Sequence, residues 1–240
     1  SKRIRDFAME VRQFRYSSDN LGYLIYENRT AMAVDGGAVE EILQFIEIHN
    51  LKLVYVANTH GHVDHTVGNK ELLSGSGAKY LNTETLIKDG IIRLDGEKIH
   101  VYHTPGHTTD SITFHLGNIL LTGDTLFIGK VGRCFSGDLE GFLRSVKFIM
   151  GFPRDTIIYP GHDYVEEYMD FARELEPDNP YIEDFLHRYD PGHVHSTLGV
   201  EFKIDPFLRF NDEEIISILE KKGLPTATEP ERWKSLMTLL

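Results

Sequence analysis

The chain has 240 residues, 41% of them hydrophobic and 26% charged, the balance of an ordinary globular protein. Its 37 acidic against 25 basic residues leave a formal net charge of −12, which excludes the basic surface that nucleic-acid binding needs. No apolar run approaches the ~18 residues of a membrane span, and a length of 240 residues leads us to expect one large domain, or one domain with a small appendage.

The opening residues 1–6 (SKRIRD) are basic but lack the apolar stretch of a secretory signal. Residues 20–26 and 31–35 read as strands, the second closed by Gly36 and Gly37. Over 39–49 the apolar residues Ile42, Leu43, Phe45 and Ile46 recur at helical spacing and form one stripe. The β-branched run 53–57 reads as a short buried strand, 66–73 as the start of a helix, and 78–81 as another strand. Strands at 98–102, 111–116 and 119–122 then alternate with turns. Cys134, the single cysteine, rules out an internal disulfide and fits a reducing, cytoplasmic compartment. A helix is predicted over 138–150 with Asp138 as its N-cap, followed by a strand at 156–159. Beyond about residue 165 the strand signals nearly vanish. Residues 165–175, 180–189, 211–222 and 229–240 all read as helices separated by Pro and Gly. The expected division is therefore a strand-rich part, 1–165, and a helical part, 166–240.

Four fragments place metal-ligand residue types at the ends of these strands. They are Thr59-His60-Gly61-His62-Val63-Asp64-His65, Pro105-Gly106-His107, Gly123-Asp124-Thr125 and Pro160-Gly161-His162. Just after a strand the chain is near-extended, so His60 and His62 point to one side. Asp64 and His65 are adjacent and cannot share that direction, so the chain must turn there. One short segment can then feed two neighbouring metals. His60, His62 and His107 are assigned to a first metal, Asp64, His65 and His162 to a second, with Asp124 bridging the two. Imidazole and carboxylate donors suit zinc, iron or manganese as the two divalent ions. The other seven histidines lack partner spacing and read as surface, capping or core residues; His103, close to His107, is the nearest of them to a ligand-orienting position.

The ligand series HxHxDH, then His, Asp and His, resembles the metallo-β-lactamase superfamily. Within that superfamily, TGDTLF at 122–127, GHDY at 161–164, FARELEP at 171–177, STLGVEF at 196–202 and DPFLR at 205–209 are most similar to glyoxalase II, the hydroxyacylglutathione hydrolases. The resemblance implies an α/β (α+β) chain folded as a four-layer αββα sandwich, followed by a small helical C-terminal domain that helps to close the substrate site. It also implies a monomeric or homodimeric cytoplasmic enzyme of methylglyoxal detoxification, with a small-molecule thioester as substrate and neither nucleic acid nor membrane as partner.

Carried over residue by residue, the family's substrate contacts fall on Arg133 and Tyr164. A second loop tyrosine is replaced by Phe135, which keeps the ring and loses the hydroxyl. The C-terminal basic pair that holds glutathione carboxylates is half suggested by Arg232 and Lys234. The expected reaction is hydrolysis of a thioester such as S-lactoylglutathione, with Asp64 and Asp124 orienting the nucleophile as well as holding metal. A thiol leaving group with a pKa of about 8.5 departs with little need of a general acid. The alternatives are a mononuclear-iron persulfide dioxygenase of the same superfamily, and a hydrolase of another thioester or a lactone.

Overall fold

The computed structural model describes residues 9–240, so the basic opening lies outside the described residues. Two sheets form the centre. The first contains β1 (Glu10–Tyr16), β2 (Asn20–Glu27), β3 (Thr30–Val34), β4 (Lys52–Ala57) and β5 (Lys79–Leu81) in sequence order, antiparallel up to β3 and parallel after it. The second contains β6 (Ile91–Leu94), β7 (Glu97–His103), β8 (Ile112–Leu116), β9 (Ile119–Gly123), β10 (Ile157–Pro160) and the two-residue β11 (Ser196–Thr197). Only β9 and β10 pair in parallel there.

Parallel neighbours need crossover connections, and helices supply them. Helix α1 (Val39–Ile48) joins β3 to β4, and α2 (Val63–Thr66) with α3 (Asn69–Ser76) joins β4 to β5. Helix α4 (Thr83–Asp89) leads into the second sheet, and α5 (Leu139–Met150) joins β9 to β10. Asp138 caps α5 as expected, its side chain accepting from the backbone N–H of Gly141.

The period-2 alternation of the strands sorts apolar side chains into three cores. Leu24, Ala31, Ala33 and Val56 face Ile42 of α1 and Leu72 of α3. Their neighbours Tyr23, Ile25, Met32 and Val34 point the other way, against Ile99, Val101, Phe114 and Leu121 of the second sheet. On that sheet's far face, Leu120 and Ile158 pack with Phe142 and Val146 of α5. The result is helix, sheet, sheet, helix: the four-layer architecture expected from the motifs.

Five helices follow: α6 (Val165–Leu175), α7 (Pro180–Arg188), α8 (Leu198–Ile204), α9 (Glu213–Lys221) and α10 (Glu229–Met237). Helices α6 and α7 extend the core between the sheets with Met169, Ile182 and Phe185. Leu198, Leu219 and Trp233 add α8, α9 and α10 to the core around α5. No helix among the described residues is long and apolar enough to cross a membrane.

Where the structure differs from the sequence reading, short elements are responsible. The helix expected over 66–73 is broken in two: a Cβ on Gly68 would lie 2.1 Å from the carbonyl oxygen of Gly36, so the chain passes there only as glycine. Strand β1 (EVRQFRY) is a partly exposed edge strand whose charges conceal its alternation. The sequence reading also lacked β6, α4 and α8, of four, seven and seven residues.

Candidate metal centre

Each ligand-type residue comes off the end of a strand, where the backbone is free to leave the ladder. His60 follows β4, and His62 sits at the N-cap of α2 in extended conformation. Asp64 and His65 lie within that one-turn helix, which is the turn that separates their directions. His107 follows β7, Asp124 comes directly after β9, and His162 lies two residues beyond β10. Gly161 is required by close approach: a Cβ there would stand 2.3 Å from Oδ1 of Asp124.

These side chains converge as two groups, His60–His62–His107–Asp124 and Asp64–His65–His162. In the first, Nδ1 of His62 is 3.0 Å from Nε2 of His60 and 3.2 Å from Nε2 of His107. In the second, Nε2 of His65 and Nε2 of His162 are 3.1 Å apart, and Oδ2 of Asp64 is 3.3 and 3.2 Å from them. Oδ2 of Asp124 joins the groups, 3.7 Å from His60 and 3.4 Å from His107 on one side, 3.3 Å from His65 and 3.4 Å from His162 on the other. Two nitrogens on one tetrahedral zinc at about 2.0–2.1 Å stand ~3.3 Å from each other, so the observed spacing matches a coordination shell.

The hydrogen-bond partners fix the outer nitrogens as donors, so in the neutral rings the inner nitrogens face one another as lone pairs. His65 donates from Nδ1 to Asp35 Oδ2 at 2.9 Å, and His162 from Nδ1 to Asp19 Oδ1 at 2.9 Å. His107 donates from Nδ1 to the carbonyl oxygen of Arg133 at 2.9 Å. Thr59 gives its hydroxyl hydrogen to Asp35 at 2.7 Å, so its oxygen accepts from Nδ1 of His60 at 3.0 Å. In each of these four rings the outer nitrogen is taken up as a donor, so Nε2, once the ring is neutral, is an acceptor directed inward. Lone pairs about 3 Å apart repel unless something positive stands among them. Oδ1 of Asp124 is buried and has no hydrogen-bond partner in the protein, a second unmet demand for a cation. The donor set therefore fits divalent metal.

The electrostatics agree. Burial, helped by His65, holds His60 down to about 4, and burial likewise lowers His107, so both rings stay neutral. Burial also works against charge on His65, but Asp35 and Asp124 outweigh it and lift that ring well above its ordinary value. His162 is raised in the same way by Asp124 and Asp19. Burial pushes Asp124 upward, yet His65 and His162 prevail and hold its carboxyl well below the usual range. The carboxylates thus require positive charge at this point, supplied by a proton or by a metal that displaces it.

A cavity of about 420 Å³ opens over the centre. Of the expected substrate contacts, three line it: Arg133, Phe135 and Tyr164. Tyr164 stacks on His162 with ring centroids 4.9 Å apart, and Phe135 lies edge-on to His107 at 5.3 Å. Lys234 is not brought to this cavity. It borders a separate depression with Leu139 and Glu140, because the buried Trp233 beside it locks α10 against Phe142 of α5. Arg232 is likewise engaged elsewhere, donating to Thr226 O and Asn211 Oδ1. His103 touches no ligand: its Nε2 pairs with the carbonyl oxygen of Thr109.

The groups that do orient these ligand-type side chains, Asp35, Asp19 and Thr59, were not found from the sequence, nor was Lys130, which also lines the cavity. Asp35 left one local signal. It ends an apolar strand ahead of two glycines and adopts a left-handed conformation at φ 51°, where aspartate is tolerated. A larger open groove of about 630 Å³ borders α7 and α9, but Arg209, its buried cation, is already paired with Glu176 and Asp212.

Known proteins share this plan. The family model of the metallo-beta-lactamase superfamily matches residues 22–88 and 75–162, and that of the hydroxyacylglutathione hydrolase C-terminus matches 163–237. The hydroxyacylglutathione hydrolase of Pseudoalteromonas translucida is 32% identical, over 96% of this chain and 97% of its own length. That of Idiomarina loihiensis is 30% identical over 93% and 95%. Among solved structures, ETHE1 from Myxococcus xanthus is 26% identical with a TM-score of 0.67, over 94% of this chain and 99% of its own. The chain belongs to the metallo-β-lactamase superfamily and, within it, to the hydroxyacylglutathione hydrolase family.

Proposed function

We propose that the chain is a two-metal thioester hydrolase that cleaves a thioester such as S-lactoylglutathione to a hydroxy acid and a free thiol. The observation that carries this reading is the position of Asp124: one buried carboxylate oxygen within 3.7 Å of histidines from both ligand groups. Kinship over nearly the whole chain, including the helical C-terminal region, supports the thioester as substrate. His60, His62, His107 and Asp124 would hold one ion, and Asp64, His65, His162 and the shared Asp124 the other. When bound, a pair of zinc, iron or manganese ions lowers the pKa of water towards neutrality and polarises a carbonyl oxygen.

The protein's own groups do the rest. Asp64 and Asp124 orient the attacking water, whose oxygen joins the acyl carbon as the carbon–sulfur bond breaks and the thiolate leaves. Asn20 donates to Oδ2 of Asp64 at 2.9 Å and fixes that carboxylate. Tyr164 and Arg133 hold the carrier beside the centre, and Phe135 covers it with an apolar ring, so binding energy positions the carbonyl. The free Cys134 is consistent with a reducing, cytoplasmic setting.

The test is hydrolysis of S-lactoylglutathione by metal-loaded protein, followed by loss of its ultraviolet absorbance. The wild-type enzyme should turn over, and Asp124→Ala should lose at least ~100-fold in kcat/KM, more than removal of an outer partner costs. Full turnover in Asp124→Ala would sink the shared-carboxylate reading. One iron per chain, with oxygen uptake on glutathione persulfide and no thioester cleavage, would replace it with the dioxygenase.

A further inference from the structure

The cavity carries a cation that the chemistry above leaves unused. Lys130 lines it together with Arg133, and among the described residues neither side chain has a carboxylate within ion-pair distance. In a chain of net charge −12, two unpaired cations on the wall of one cavity point to an anionic ligand. The lysine is also held in place. Residues 127–130 form a turn closed by the Phe127 N–H donating to the Lys130 carbonyl oxygen at 2.8 Å. That turn is anchored from below by Glu201 of α8, which accepts from the Gly129 N–H at 2.7 Å and is itself fully buried. The ammonium lies 4.0 Å over the ring of Tyr168, and its stem is half-buried.

Its distance from the chemistry says which part of a substrate it meets. From His162 the contacts run outward through Tyr164 at 4.9 Å, then Tyr168 at 5.4 Å, then Lys130. Two aromatic rings therefore separate this ammonium from the ligand cluster where an acyl carbonyl must sit. An anionic group reaching Lys130 belongs to the far end of the substrate, the thiol carrier. The helical C-terminal cations cannot take that role, since Arg232 is held by Thr226 and Asn211, and Lys234 lies outside the cavity.

We propose that Lys130 is a specificity-determining residue whose ammonium, beside Arg133, binds a carboxylate of the carrier, so that acidic thiol carriers are preferred over neutral ones. This rests on the thioester-hydrolase reading of the same cavity. Glu167 lines the same cavity and attracts the Lys130 ammonium from beyond ion-pair distance, so a carrier carboxylate must outcompete it there.

The test compares two ligands by calorimetry on metal-loaded protein: S-methylglutathione, and its dimethyl ester, in which both carboxylates are neutral. Lys130→Gln should weaken S-methylglutathione about tenfold, the size of one charged hydrogen bond, and the diester much less. Lys130→Arg should restore the preference, and Lys98→Gln, which removes the same charge at an exposed position of β7, should leave it alone. On S-lactoylglutathione, Lys130→Gln should raise KM while changing kcat little. Equal weakening of both ligands, or none, would overturn the assignment of Lys130 while leaving the hydrolase intact. If wild-type protein neither binds S-methylglutathione nor cleaves its lactoyl thioester, both readings fall.

Discussion

Behind His65 and His162 stand carboxylates, Asp35 and Asp19, whereas behind His60 and His107 stand a hydroxyl and a backbone carbonyl. A carboxylate accepting from the outer nitrogen makes an imidazole a stronger donor than a neutral acceptor does. Asp64 adds a third negative charge to the His65–His162 group alone. The two halves of one centre are therefore built unequally. With metal bound, the second group would be the stronger anchor, and the first, with no carboxylate behind its rings, would leave its ion the more electrophilic partner for a carbonyl. Asp35 couples the halves, since it reaches His65 directly and His60 through Thr59.

The largest test of this asymmetry is Asp35→Asn. Asparagine tolerates the left-handed backbone, but Asp35 accepts at both oxygens, Oδ1 from the Thr59 N–H and Oδ2 from the Thr59 hydroxyl and His65 Nδ1, and an amide nitrogen can replace neither. Metal affinity should fall by roughly 10–100-fold, the cost of an outer partner, and both groups should weaken. Competition with a chelator reads this directly; loss confined to one group would show that the Thr59 relay carries nothing.

A buried acid in the helical region offers a contrast, because no histidine backs it. Glu201 is fully buried and accepts from Gly129 and from Ser196 Oγ, and burial lifts its carboxyl to about 7. The folded pKa lies above the ordinary value, so the native state keeps a proton that the unfolded chain has released. This contribution to stability is fully present below about pH 4.5 and is lost as pH rises towards about 7. Glu201→Gln keeps the acceptor for Gly129 and removes the titration. It should flatten that fall by on the order of 2 kcal/mol, measured by urea unfolding at pH 5 and pH 8. An unchanged slope would show that the fall arises elsewhere.

The smallest effect is expected at Asp19→Asn. Asp19 is about one-third exposed and backs only His162, so the loss should be about tenfold or less and confined to the second ion. A loss matching that of Asp35→Asn would remove the asymmetry between inner and outer backing.

What the sequence disclosed follows from the range of each interaction. The ligand-type residues were legible because all seven come from short strand-end motifs, and because HxHxDH spans only six residues. Their backing was not: Asp35 meets His65 across 30 residues and Asp19 meets His162 across 143, contacts that only the finished sandwich creates. Strands with clean apolar alternation were found, while the charged edge β1 and the short β6, α4 and α8 were not. Lys234 illustrates the same limit, since the packing of Trp233 on Phe142 decides which way α10 faces.

The most direct test of the account is a metal titration of wild-type, Asp64→Ala and Asp124→Ala proteins against a competing chelator. The shared-carboxylate geometry predicts two ions per wild-type chain, loss of one in Asp64→Ala, and weakening of both in Asp124→Ala. Two ions held by Asp124→Ala at wild-type affinity would contradict it.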